Sequence, residues 1–444
     1  MSDLCDGLAR WATSLELEAI PQPVAQATRR ALVDATGCML AGATTPVSQT
    51  LRHQAAGVFT SGRCRVLGNA LRLNPLGAAQ LNGAAAGTLE MDPGFESGRV
   101  PAVGVVFAAV LAATEQTGTP RGDMFTGLVV GLEVAARLSF LLRDGLDAAP
   151  DDLATQICAI SAALGTARAL ALDEDAAAQA MRIAASIHGG LALTSGTSVR
   201  PLQMGLAAEA AVRAVLLADS GMGGPDSAVE GEQALGRYAA ATMPLHRAMN
   251  GLGTTWLLQA PGLVYRLHPA APHVLPALEE TARLLAEHRL PPADVASVTC
   301  HLGEQVIGDL FQGKPQIMAH AQYDLSYVIG CLLSFGTYGI AHLKRSVMAG
   351  PTLVENAAKV QVATAKANPG DEEHLARTPF AAKITIQAHD GRRLQGLGRI
   401  ATGYPEQPLD DKTVEEKFVA NARFTGLDEA QARLMAARMW DMPH

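Results

Sequence analysis

Alanine- and leucine-rich segments with apolar residues at helical spacing recur through the first 260 residues: Val24 to Leu40, Ala102 to Glu115, Met124 to Leu142, Ser161 to Leu172, Glu174 to Ile187 and Leu206 to Ala218. Small side chains let helices approach closely, so this half is expected to be a compact helical bundle. Near residue 260 the texture changes. Val295 to Leu302 and Lys383 to Ala388 carry strand-like β-branched residues, and His389 to Arg392 form an Asp-Gly turn that leads back through Arg393 to Leu397 as a hairpin. Helical patterns at Leu278 to His288 and Ala321 to Leu333 make this part α+β. The tail, Asp410 to Met442, is helical again and is expected to pack back on the first half. The fold class is therefore mainly α with an α+β part: a large all-α helical domain over residues 1–260 and 402–444, with residues 261–401 inserted. Gly221 to Gly224 (GMGG) lack the lysine and helix that a phosphate cradle needs, and read as a loop.

Composition narrows the partners. With 444 residues, 48% of them hydrophobic and 18% charged, the chain can bury a sizeable core and reads as soluble and globular. A net charge of −8 offers no basic face to a polyphosphate backbone, which argues against nucleic acid. Apolar runs such as Val103 to Ala113 fall short of the roughly 20 residues of a spanning helix, so no membrane partner is expected. The N-terminus carries Asp3 and Asp6 and no basic-then-apolar signal, which reads as cytoplasmic. Cys5, Cys38, Cys64, Cys158, Cys300 and Cys331 are scattered without metal-like pairing, as small buried residues in a reducing compartment; no metal site is indicated.

The chemistry gathers in Leu81 to Ala102, LNGAAAGTLEMDPGFESGRVPA, where small residues run into Glu90 and Asp92 before Pro93, Gly94 and Gly98. These acids sit where the chain changes direction and side chains can reach a cleft. Together with Ala31 to Gly42 (ALVDATGCMLAG), Gly196 to Pro201 (GTSVRP), Leu252 to Trp256 (LGTTW) and Ala260 to Leu263 (APGL), the NGAAA run of Asn82 to Ala86 resembles the MmgE/PrpD superfamily. That group includes 2-methylcitrate dehydratase, cis-aconitate decarboxylase and iminodisuccinate epimerase. The resemblance implies an all-α large domain, a smaller α+β lid domain, a homodimer, a site in the cleft between the domains, and neither metal nor organic cofactor. The apolar surface of the Ala-rich helices also suits a dimer.

Departures from the family pattern bear on the chemistry. Gly87 stands where these enzymes carry a histidine after the NGAAA run, Asp92-Pro93 where they carry Asp-Asp, and Val100 where they carry the histidine of a His-Pro step. The Trp-His-Pro motif has become Asp152 and Leu153. A Lys-Pro-x-His signature reads Arg200, Pro201, Leu202 and Gln203, and the second family lysine falls near Tyr265, Arg266, Leu267 and His268. The family tyrosine is matched by Tyr327, with Asp324 in the serine position. Arginine grips a carboxylate with two parallel hydrogen bonds but stays protonated, so these exchanges preserve binding better than proton transfer.

Asp92 is the candidate base, and Tyr327, Tyr265, His268 and His273 are candidate acids or second bases. Arg200, Arg266, Gln203, Glu90 and His188 are candidate substrate ligands. Each has a structural alternative: Asp92 as a turn residue, Arg200 as an ion-pair member, Glu90 as a solvated neighbour, His188 and His268 as core or hinge histidines, Tyr327 as a buried helix tyrosine. The expected function is that of a cofactor-independent lyase or isomerase, moving a proton at carbon beside a carboxylate or carbonyl of a small, carboxylated molecule. The alternative is a diverged member acting as a cyclase of a secondary metabolite or as a non-catalytic binding protein. Without the lost imidazoles, 2-methylcitrate dehydratase and cis-aconitate decarboxylase activities are expected to be absent or very weak.

Overall fold

The computed structural model describes residues 3–96, 99–143, 152–239, 244–364 and 380–442. It divides into two compact units, one formed by Met1–Thr88, Asp92–Tyr265 and Leu409–His444, the other by Leu89–Met91 and Arg266–Pro408. The class is mainly α with an α+β part.

The first unit is helical. Its elements are α1 (Leu4–Ser14), α2 (Gln22–Gly42), α3 (Pro46–Val58), α4 (Pro75–Gly87), α5 (Ala102–Thr117), α6 (Arg121–Leu142), α7 (Leu153–Ala169), α8 (Glu174–Ile187) and α9 (Val199–Asp219), followed by the C-terminal helices Asp411–Ala422 and Glu429–Trp440. A short antiparallel pair, β1 (Ser61–Arg65) and β2 (Arg72–Leu73), joins α3 to α4. The helices expected from the spacing are present, several of them longer: α7 begins eight residues before Ser161, because Asp152 caps it and supplies the acceptor for Thr155 N at 3.2 Å. Among the described residues two helices, α6 and α9, are long and apolar enough to cross a membrane, beyond what the shorter runs had indicated. The share of their apolar windows buried inside the protein is 94% and 67%, so the packed bundle accounts for their composition.

Close approach explains the glycines. A Cβ at Gly165 of α7 would lie 2.6 Å from the Gly127 carbonyl of α6, and one at Gly205 of α9 would lie 2.3 Å from the Gln80 carbonyl of α4. Backbone meets backbone there, and only hydrogen fits. Buried Arg137 and Glu133 of α6 tie down the loop that carries Leu252 to Trp256. Arg137 donates to the carbonyls of Ala248 at 2.9 Å and Asn250 at 2.7 Å, while Glu133 accepts from Leu257 N at 3.1 Å and Leu258 N at 2.9 Å. Buried backbone groups in an irregular segment need such partners.

The second unit is α+β. It contains α10 (Leu275–Glu287), β3 (Val295–Leu302), α11 (Glu304–Asp309), α12 (Met318–Tyr323), α13 (Leu325–Phe335), α14 (Arg345–Met348), α15 (Pro351–Ala357), β4 (Val360–Thr364), β5 (Ala382–Ala388) and β6 (Arg393–Gly398). The sheet order is β4-β3-β5-β6, parallel between β3 and β4 and antiparallel elsewhere. Along β5, Ala382, Ile384, Ile386 and Ala388 are buried in strict alternation. The hairpin turn is present, with Gly391 at φ 89° and Asp390 Oδ1 accepting from Arg392 N at 3.0 Å. One expectation is corrected. The single helix read over Ala321 to Leu333 is two helices, since Asp324 takes extended backbone angles and caps α13 through Tyr327 N at 3.0 Å. The tail is helical as expected, in two segments separated by Gly426 at φ 90°.

Candidate functional site

In the helical unit, α4 stops at Gly87 and the chain bends through Asp92, which is buried at 1% exposure. Just beyond, Gly94 is fixed by a bridge to Val264, N to O at 3.0 Å one way and 2.8 Å the other. Where the family resemblance places a histidine, the space beside Gly87 is filled by α9: a Cβ there would lie 2.0 Å from Met204 Sδ. Val100, at the second missing histidine, is buried and bridged to Phe95.

Asp152 sits at the third. Its Oδ2 receives Arg200 Nη1 in a short ion pair, and its Oδ1 receives Thr155 N. With its amide turned so that both ends are satisfied, Gln203 donates to Asp152 Oδ2 and Thr194 Oγ1 at 2.6 Å each. A side chain at Gly190 would collide with that amide, its Cβ 2.2 Å from the nearer of the amide's two terminal atoms. His188 follows α8, and its Nε2 lies 3.1 Å from Thr155 Oγ1. Because that hydroxyl gives its one proton to the Asp152 carbonyl at 3.2 Å, His188 carries its proton on Nε2 and a lone pair on Nδ1. Burial pushes the His188 imidazole down to about 4, against the attraction of Asp152, so it is neutral at neutral pH.

Burial raises the Cys158 thiol of α7, and the charges of Arg200 and Asp152 act on it, with a smaller effect of Asp92; Asp92 acts likewise on the buried Cys38 thiol of α2. Tyr265 is elsewhere in this unit: burial holds it as a protonated phenol, and the charges acting on it are Asp34, Arg30 and Asp411.

The second unit holds the remaining candidates. Glu90 adopts φ 54°, a left-handed conformation uncommon for a side-chain-bearing residue, and both its oxygens are engaged. Arg266, 1% exposed, donates to Oε2 at 3.1 Å, and the Tyr323 hydroxyl donates to Oε1 at 3.1 Å. His273 packs against Tyr323 and Phe380, with ring centroids 5.5 and 6.1 Å away, and burial pushes it down to about 4. Its buried Nε2 has no hydrogen-bond partner among the described residues. His268 donates from Nδ1 to the Tyr338 carbonyl at 3.0 Å. Tyr327 gives its proton to the His342 carbonyl, and burial raises its pKa. Its place is that of a helix tyrosine with a spent donor, which leaves its hydroxyl proton poorly placed for acid chemistry. Burial also pushes Asp324 up to about 6.

Sequence reasoning passed over Tyr323, Thr155 and Met204, and named Asp152 only as the residue standing at a family histidine. Asp152 had a local signal, an acid three residues ahead of a threonine at a helix start, but its partner lies 48 residues away. All six cysteines are unpaired and buried. Asp3, Cys5 and Glu230 bring ligand atoms within 4.8 Å of one another, but Arg182 already holds Asp3 at 3.1 Å and Asp6 at 2.7 Å.

The MmgE/PrpD N-terminal domain matches residues 6–246 and the MmgE/PrpD C-terminal domain residues 268–442. The chain is 24% identical over 442 residues to the cis-aconitate decarboxylase of Homo sapiens, covering 95% of this chain and 88% of that protein. It is 28% identical over 232 residues to the cis-aconitate decarboxylase of Aspergillus terreus, covering 50% of this chain and 46% of that one. It is also 24% identical over 443 residues to the cis-aconitate decarboxylase-like protein oryM of Aspergillus oryzae, covering 93% and 89%.

Proposed function

Because the chain belongs to the MmgE/PrpD family, and the relatives it matches support a lyase of dehydratase or decarboxylase type, we propose that it is a cofactor-independent lyase acting by proton transfer at carbon, with Asp92 as the base. The observation that carries this reading is the Asp92 carboxylate, 1% exposed, at the bend that follows α4 in the same helical unit as the Asp152–Arg200 pair. In the simplest closed account, Asp92 takes the proton from the carbon next to a carbonyl or carboxyl group. The C–H electron pair becomes a C=C bond, and the hydroxyl on the adjacent carbon leaves with its C–O pair. Asp92 then hands the proton to that hydroxyl, so water departs and the carboxylate is restored. No oxidant, reductant or co-reactant is required.

A second reading, a diverged member that cyclises or merely binds its ligand, draws on the replacement of three family histidines by Gly87, Val100 and Asp152. Asp92→Asn separates the two. The amide is isosteric and has no basic site near neutral pH, so turnover on a panel of β-hydroxy carbonyl and carboxyl compounds should fall by about 100 to 10,000-fold with the melting temperature retained. A variant that keeps wild-type kcat while losing several degrees of Tm would make Asp92 a structural turn residue.

A further inference from the structure

Both arginines that the resemblance assigns to substrate carboxylates are neutralised by acids of this chain. In the helical unit Arg200 is paired with Asp152, which is only 4% exposed. In the second unit Arg266 is paired with Glu90 at 3.1 Å. Neither acid is poised to let go. Asp152 also accepts from Thr155 N at 3.2 Å and from the Gln203 amide at 2.6 Å, and Glu90 also accepts from the Tyr323 hydroxyl at 3.1 Å. We infer that the substrate is an uncharged β-hydroxy carbonyl compound, a ketone, ester or lactone, in place of a di- or tricarboxylate; this rests on the lyase reading above.

A carboxylate arriving at Arg200 would meet Asp152 as a like charge, and pushing Asp152 aside would strand a buried anion without its counter-ion. The neutral His188 beside the pair adds no positive charge. Next, the space at Gly87, where the resemblance places a histidine, is filled by the thioether of Met204, so that position offers an apolar group and no charge. Last, the reaction itself favours the exchange. Removing a proton beside a carboxylate piles a second negative charge on one fragment, which needs unpaired cations to hold it, whereas the enolate of a ketone or ester carries one charge. An aspartate base with pre-neutralised arginines suits the second case.

The test compares citrate with its uncharged triester by titration calorimetry. Asp152→Asn keeps the size and the capping oxygen but removes the charge that neutralises Arg200. It should bind citrate at least about tenfold more tightly than the wild type, while the affinity for the triester changes little. Glu90→Gln makes the same comparison in the other unit, and far-ultraviolet circular dichroism verifies that each variant is folded. Wild-type protein that binds citrate as tightly as Asp152→Asn and Glu90→Gln overturns the inference, and leaves the lyase reading standing. Citrate binding confined to the variants upholds it, even if Asp92→Asn shows that Asp92 is no base.

Discussion

At the scale of single residues, the recurring event is a polar group withdrawn from water and given one specific partner. His188 is the clearest instance. Its folded pKa of about 4 lies below the ordinary histidine value of 6.5, because burial disfavours the charged ring more than Asp152 favours it. The unfolded chain therefore binds more protons than the folded one between those two values. Stability contributed by the neutral ring is present above pH 6.5 and is lost as pH falls towards 4. For a single group shifted this far, the loss at pH 5.5 is about 1 kcal/mol. His188→Gln should flatten the rise of unfolding free energy with pH across this window by close to one proton, measured by urea denaturation from pH 4 to 7. Asp324, pushed up to about 6, contributes in the opposite sense, with stability present below its unfolded value and lost as pH rises through 6, so comparing variant with wild type isolates the histidine. An unchanged slope would mean that His188 is solvated.

Elements are set by periodicity and held together by contacts that periodicity does not describe. The spacing of alanines and leucines predicts α5, α6, α8 and α9, and the Asp-Gly pair predicts the β5–β6 hairpin. It does not predict β4, five residues whose only cue is alternation and whose parallel partner β3 lies far back in the chain. Nor does it distinguish a glycine that is needed from one that is tolerated. Gly165→Ala places its methyl against the Gly127 carbonyl and the Gly131 backbone, at 2.6 and 3.0 Å, so α6 and α7 must separate. A loss of about 1 to 3 kcal/mol is expected. Gly57→Ala in α3 meets nothing within 4 Å, and should be neutral or stabilising by about 0.5 to 1 kcal/mol through the less flexible unfolded chain. Thermal melts of the two variants should move in opposite directions; parallel destabilisation would mean that the glycines do not mark helix contacts.

At the scale of the whole molecule, the C-terminal segment is part of the fold of the N-terminal one. Asp411 accepts from Gln26 at 2.8 Å and pairs with Arg30 at 2.6 Å, and Lys417 donates to both oxygens of Asp34 at 2.8 Å. The Lys417–Asp34 pair is fully enclosed, with side chains 4% and 0% exposed, so removing one partner leaves a buried charge. Lys417→Met should cost about 3 to 5 kcal/mol, and the Asp34→Asn/Lys417→Met double variant should recover part of it, read as denaturation midpoints. A Lys417→Met protein as stable as the wild type would show that Asp34 is hydrated or protonated.

What the sequence determined alone is the class of the fold and the inventory of chemistry. Helical period, small residues and turn signals act between neighbours in the chain, and the motifs from Ala31 to Leu263 placed it among the MmgE/PrpD proteins. Residue types also predicted that Arg200 and Arg266 would be cations. Only the tertiary structure decided what those cations face. Whether an arginine is open to a ligand or already neutralised depends on which acid the fold brings to it, and Asp152 and Glu90 come from positions that carry no local sign of that pairing. Charge pairing over such separations is a property of packing, because the desolvated interior makes each buried ion find the counter-ion that the helices deliver.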